Sequence, residues 1–191
     1  MEDPEDRAYI DALKKRDRSA WNRAFNDHHR AVFSYLYSQC RDASLSEDLV
    51  GVTFLEGLEA SRRLKGSSEG LRGWLITIAR NNLIDERRKS ARRVPSVPFE
   101  ADAPQPRSTA QRSAEDEVFS SLEVDRIREH IQQLSEDQRD AVLMRLTADM
   151  SAASIAEVMG KSVGAVKVLI HRGLRSLATS LEDSSPSEEG V

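Results

Sequence analysis

Two stretches of this chain carry side chains suited to holding an anionic polymer. The first is Arg80, Asn81, Arg87, Arg88, Lys89, Arg92 and Arg93. A run of cationic groups like this can line a phosphate backbone, and a carboxamide such as Asn81 can read a base edge. The second lies in residues 151–178. At ~100° per residue, Gly164, Lys167, Val168, His171 and Arg175 fall on one helix face and Val163, Val166, Ile170, Gly173 and Leu177 on the other. A recognition helix needs that division, with one face packed and the other free to enter a major groove. Lys167 and His171 would reach base edges while the cationic ends hold phosphates. Charge alone favours reading the second stretch as the solvated face of an ordinary surface helix, and the first also reads as a solvated helix end favoured by the helix dipole.

Local grammar favours the first reading for the second stretch. A short helix at about 152–159 stops at Gly160, a residue that tolerates a left-handed cap. Ser162 follows as the N-cap of the next helix. Two helices with a short glycine turn between them make a helix-turn-helix. Upstream, Ser135 and Gln138 have the spacing of a capping box ahead of Val142, Leu143 and Leu146.

Catalysis has no comparable support. His28 and His29 are adjacent, so they diverge on a helix, and neither has a partner at metal-ligand spacing. The many carboxylates are scattered on polar faces. Cys40 is the lone cysteine, which excludes an internal disulfide and a multi-cysteine metal site. The chain is therefore read as no enzyme, with no catalytic residue, no metal and no cofactor.

The elements that must position these groups are helical. Trp21, Phe25, Val32, Phe33, Leu36 and Tyr37 mark one helix. Leu45, Leu49, Val52, Leu55 and Leu58 recur at helical spacing in a second, with Ser44 and Glu47 placed as its capping box. Leu71, Trp74, Leu75, Ile78 and Leu83 make a third apolar face, in which Trp74 reads as core rather than as a base-stacking platform. No segment alternates like a strand. The expected fold is all-α, with two small helical domains joined by an extended linker and a helix-turn-helix in the C-terminal one.

Proline and charge mark the boundaries. Four of the six prolines fall within residues 95–106, in a polar stretch that cannot bury itself. The expected boundaries are 1–93, a linker at 94–113, 114–181 and an acidic tail at 182–191. The formal charge is −4, which by itself argues against nucleic acid. Mapped along the chain, residues 70–95 are net +5 and residues 151–181 net +3, two basic islands inside an acidic total. The acidic start is read as no secretory signal, and no run is long and apolar enough for a membrane span.

Both motifs, in this order and with a linker between them, resemble the extracytoplasmic-function class of bacterial sigma factors. The resemblance rests on Ser46-Glu47-Asp48-Leu49-Val50-Gly51-Val52-Thr53-Phe54-Leu55, on Trp74-Leu75-Ile76-Thr77-Ile78-Ala79-Arg80-Asn81 with Leu83-Ile84-Asp85, on Leu134 to Arg139, and on Ser162 to Lys167 with His171-Arg172. It covers about residues 20–93 and 115–180.

The resemblance implies an alternative sigma factor that binds core RNA polymerase and directs promoter-specific initiation from the cytoplasm. Asp48, Leu49, Gly51, Val52, Phe54, Leu55 and Glu56 fall in the polymerase-binding segment, with some of them necessarily core. Arg80, Asn81, Asp85, Arg87, Arg88, Lys89 and Arg92 match the helix that meets and helps melt the −10 element. The loop Gly66–Gly70 matches the place where a flipped base is captured. Ser162, Gly164, Lys167, Val168, His171, Arg172 and Arg175 match the −35 reader. A separate anti-sigma factor is implied as a further partner. Two departures stand out. Val168-Leu169 follows Lys167 where serine-arginine is common, and Gly51-Val52 replaces a common glutamine-glutamate pair. The rival reading is a classical DNA-binding regulator with a dimerising first block, which leaves the basic stretch at 80–93 unexplained.

Overall fold

The computed structural model describes residues 4–64, 67–92, 127 and 129–183. Every regular element among them is helical. The first, α1 (Pro4–Lys14), was not expected from the sequence. Pro4 opens it, where its missing N–H costs nothing, with Glu5 and Asp6 in the first turn and Lys14 in the last, matching the helix dipole. Arg16 at φ 60° turns the chain, and Asp17 caps α2 (Arg18–Cys40) by accepting the Ala20 N–H. The Trp21 indole N–H donates to the Leu13 carbonyl at 3.0 Å, fixing α1 on α2.

Arg41, left-handed at φ 59°, ends α2, and Asp42 caps α3 (Ala43–Ala60) through the Leu45 N–H. The cap expected at Ser44 therefore sits at Asp42: the helix starts earlier, directly after the turn. A 3₁₀ turn (Ser61–Arg63) leads on to α4 (Ser68–Arg92). Asp6 of α1 accepts the Ser68 N–H at 3.0 Å, so one helix caps the start of another.

The buried face of α3 also differs from the expectation. Ser46, Leu49, Val50, Thr53, Phe54 and Gly57 point inward, whereas Val52 and Leu55 are 41% and 63% exposed. Close packing explains the rotation. A Cβ at Gly57 would lie 3.2 Å from Trp21 and 3.3 Å from Leu75, so α3 presents its small residues to its neighbours. Leu71, Leu75, Ile76, Ala79 and Leu83 of α4 complete this core, with Trp74 half-buried at its edge.

The second unit contains a helical turn at 129–133, then α5 (Glu136–Thr147), α6 (Ala152–Met159) and α7 (Val163–Asp183). Both sides of the Ser135–Gln138 capping box are made. Gly160 is left-handed at φ 62° and closes α6. The Ser162 hydroxyl accepts the Ala165 N–H at 3.2 Å. Arg139 donates to the carbonyls of Ile131, Gln132 and Leu134, satisfying the end of the preceding turn. Val166, Gly173 and Leu177 of α7 pack inward as expected, but Val163 is exposed, because the first turn of α7 projects past the core. The expected linker at 94–113 lies outside the described residues, and α7 runs on to Asp183, past residue 181.

The two units are in contact. Helix α2 packs on α5, and α4 on α6.

Two tests follow from this packing. A Cβ at Gly173 would stand 2.6 Å from Cγ2 of the fully buried Val142, a β-branched side chain with little freedom to yield. Gly173→Ala is expected to destabilise by about 1–3 kcal/mol despite its better helix propensity. In a double-mutant cycle read by denaturant melts, Val142→Ala should recover part of that loss. Additive effects would show that the clash does not set the packing.

His28 is half-buried, and its Nδ1 has no partner among the described residues. Burial first, and then the charge of Arg72, hold its pKa below the ordinary value, against a smaller opposing effect of Asp27. The unfolded chain thus binds a proton that the folded one resists. The contribution is complete above the ordinary histidine pKa of ~6.5 and is lost as pH falls below it. Melting temperatures compared at about pH 7.5 and about pH 5.5 should fall less for His28→Asn than for the parent.

Candidate nucleic-acid interface

The capped turn at Gly160–Ser162 sets how α7 leaves α6. Lys161 adds an ion pair to Asp137 of α5 at 2.9 Å, and Arg145 of α5 donates to the Met150 carbonyl at 3.0 Å. The helix-turn-helix is thereby tied at both ends to α5. On the outer face of α7, Ser162, Gly164, Lys167, Val168, His171, Arg172 and Arg175 are all exposed. They form one strip with an apolar centre at Val168 (47% exposed) flanked by cationic and imidazole groups. Such a strip can accept phosphates at its edges and meet a thymine methyl at its centre.

Helix α4 divides its cationic groups. Asn81, Asp85, Arg88, Lys89 and Arg92 are exposed. Arg88 lies 3.4 Å from Asp85, an exposed pair that contributes little, and Lys89 lies 3.7 Å from the half-buried Glu86. Arg80 and Arg87 are engaged elsewhere. Arg87 donates to the backbone carbonyl and side-chain oxygen of Gln39 on α2 at 3.0 and 3.1 Å. Arg80 Nε meets Asp140 Oδ2 of α5 at 2.6 Å across the seam between the units. Burial opposes the charge on Arg80, but the hydrogen bond and charge of Asp140 outweigh it and its pKa is raised.

Asp140 was not singled out in the sequence. It is 5% exposed and also accepts from the Tyr35 hydroxyl at 3.3 Å and from the Gln39 carboxamide. Burial, and next the Asp140 charge, push the Tyr35 pKa far up, so its hydroxyl stays a donor. Nothing within α5 hinted at this role, because all three donors lie on helices of the other unit.

The remaining candidates lie on α3. Asp48, Gly51, Val52, Leu55 and Glu56 are exposed, while Leu49 and Phe54 belong to the core at 7% and 8% exposure. Asp48, Leu49, Val52 and Glu56 form one wall of a groove of about 560 Å³. Asp85, Arg88, Lys89 and Arg92 of α4 form the other. The structure thus brings two separately identified residue sets to one surface. Of the loop at Gly66–Gly70, Ser68 and Gly70 lie in the first turn of α4, and Gly66 is outside the described residues. His29 stacks on Phe25 at 4.9 Å and donates from Nδ1 to the Phe25 carbonyl, which accounts for that ring as a packing element. Among the described residues, no helix is long and apolar enough to cross a membrane, and no cluster of three or more His, Cys, Asp or Glu side chains is placed to hold a metal ion.

Comparison with known proteins gives two family matches along the chain. Residues 24–93 match Sigma-70 region 2, and residues 125–177 match Sigma-70, region 4. The chain is 32% identical to the ECF RNA polymerase sigma factor SigL of Mycobacterium tuberculosis over 166 residues, covering 86% of this chain and 91% of SigL. It is 30% identical to the ECF RNA polymerase sigma factor BldN of Streptomyces coelicolor over 177 residues, covering 92% of this chain but spanning only 66% of BldN. Its fold is similar to that of the sigma factor RpoE solved in complex with the anti-sigma factor NepR from Bartonella quintana, with a TM-score of 0.66, 22% identity and coverage of 86% and 98% of the two chains. It is also similar to CnrH solved with the cytosolic domain of CnrY, with a TM-score of 0.70, 20% identity and coverage of 94% and 99%. The chain belongs to the extracytoplasmic-function class of the sigma-70 family of RNA polymerase sigma factors.

Proposed function

We propose that this sigma factor binds core RNA polymerase through α3, reads the −35 element with α7, and meets and helps melt the −10 element with α4. The observation that carries this reading is the exposed strip on α7. Lys167, Val168, His171, Arg172 and Arg175 stand outward while Val166, Gly173 and Leu177 fix the helix from behind. On α3, exposed Val52 and Leu55 beside Asp48 and Glu56 suit an apolar, cationic partner surface, and Leu49 and Phe54 support them from the core. The unit boundaries near 93 and 114 fit the same reading. The solved complexes of RpoE with NepR and of CnrH with CnrY support a separate anti-sigma factor as a partner of this chain as well. The protein would act where polymerase acts, in the cytoplasm.

Run-off transcription with purified core polymerase over a genomic promoter pool should give promoter-directed transcripts that require this chain. Their absence, together with a lack of core binding, overturns the reading. At a responsive promoter, Lys167→Ala should weaken binding of the holoenzyme by roughly tenfold, in the range of one lost base or phosphate contact. Leu55→Arg should abolish co-purification with core while leaving the melting temperature unchanged, because Leu55 is exposed.

A further inference from the structure

We propose that Gly164 and Val168 form a methyl-reading notch on α7, and that the −35 element of this sigma factor holds a thymine whose 5-methyl group seats in it. Gly164 is a glycine with no reason inside the chain. Its φ is not positive; among the described glycines Gly160 alone is left-handed. Packing does not call for it either. A Cβ at Gly164 would meet nothing within 4 Å, whereas one at Gly173 would stand 2.6 Å from Val142. Glycine weakens a helix relative to alanine, so the bare backbone at 164 serves a group that approaches from outside. The neighbours of Gly164 say which group that is.

Val168 follows one helical turn later and is 47% exposed. Side chains on an α-helix lean towards its N-terminus, so the two Val168 methyl groups stand over the open backbone of Gly164. A β-branched side chain in a helix keeps essentially one rotamer, which fixes the notch before anything binds. Its rim is small at Ala165 and polar at His171 and Arg172, and all three are exposed. Leu169, next in the chain, is half-buried and packs on the core, so the Val168-Leu169 pair gives one apolar side chain to the groove and one to the support behind it. An aliphatic notch has no donor or acceptor with which to read a base edge. What it can read is a methyl group, and in the major groove thymine presents one where cytosine does not. Burying that methyl group against Val168 is favourable. This inference rests on α7 as the −35 reader, and the test keeps the two failures apart.

The test uses holoenzyme assembled from core polymerase and the full chain, with its Kd measured on a responsive promoter. Each thymine of the −35 element, on either strand, is replaced in turn by deoxyuridine, which pairs as thymine does and lacks only the methyl group. One replacement should weaken binding by about fourfold, the size expected for one buried methyl group. Val168→Ser should bind that template and its thymine parent alike. Lys167→Ala, which leaves the notch intact, should bind both more weakly and keep the difference between them. Gly164→Ala fills the notch and should also remove the preference for thymine, without lowering the melting temperature of the chain, because its Cβ meets nothing. A −35 element without thymine, no effect of any replacement, or a thymine preference that survives in Val168→Ser overturns the proposal. A fall in melting temperature for Gly164→Ala makes that glycine structural and overturns it as well. If scrambling the whole −35 element weakens binding but no deoxyuridine does, the notch fails and α7 remains the reader. If scrambling changes nothing, the assignment of α7 to the −35 element fails and the notch fails with it.

Discussion

One buried carboxylate, Asp140, lies where the two units meet. Removing an ion such as that of Asp140 from water costs several kcal/mol unless donors replace the lost hydration. Here a guanidinium, a phenol and a carboxamide replace it, and all three belong to the other unit. Because both faces belong to one chain, docking escapes the roughly 4–15 kcal/mol of lost freedom that two separate molecules would incur. A modest contact is therefore sufficient to hold the seam. A charged contact is also a reversible one. Once parted, Asp140 and Arg80 are both well solvated, whereas parting α5 from α7 would expose Val142 and Val166, which are fully buried.

The same partition governs the charges. Non-specific affinity for DNA rises with the number of phosphates a surface neutralises. Helix α4 carries the strongest basic island in an acidic chain, yet Arg80 and Arg87 are directed to Asp140 and Gln39, and Arg88 and Lys89 lie beside Asp85 and Glu86. The outer face of α7 remains the more available cationic surface.

What was legible in the sequence was what is local. The left-handed stop at Gly160, the cap at Ser162 and the box at Ser135–Gln138 each depend on residues three or four positions apart, and the structure forms all of them. The inward face of α3 was misread because periodicity counts apolar side chains, while packing here selected small ones. Ser46, Thr53 and Gly57 turned inward, and Val52 and Leu55 were left for solvent. Helix α1 was missed because its polar residues mask a two-residue buried face, Ile10 and Leu13. Asp140 was beyond sequence reasoning altogether. Its partners lie 60, 101 and 105 positions away, and within its own helix it follows Arg139 as an unremarkable polar residue.

Helix α4 couples these surfaces because it serves both. Its Arg80 side faces the seam, and its Asp85–Arg88–Arg92 side forms one wall of the groove with α3. A partner gripping that groove shifts the chain between closed and open only if it binds the two forms with different affinity. The shared helix gives a physical route to such a difference. The groove is bounded by side chains, Asp85 to Arg92, from about one and a half to three and a half turns from Arg80 on the same helix. A partner that contacts α3 and α4 alone leaves the equilibrium untouched. One that also needs the seam face of α4 must displace Asp140 and is selective for the open chain, whereas one that bridges α3 to the second unit is selective for the closed chain.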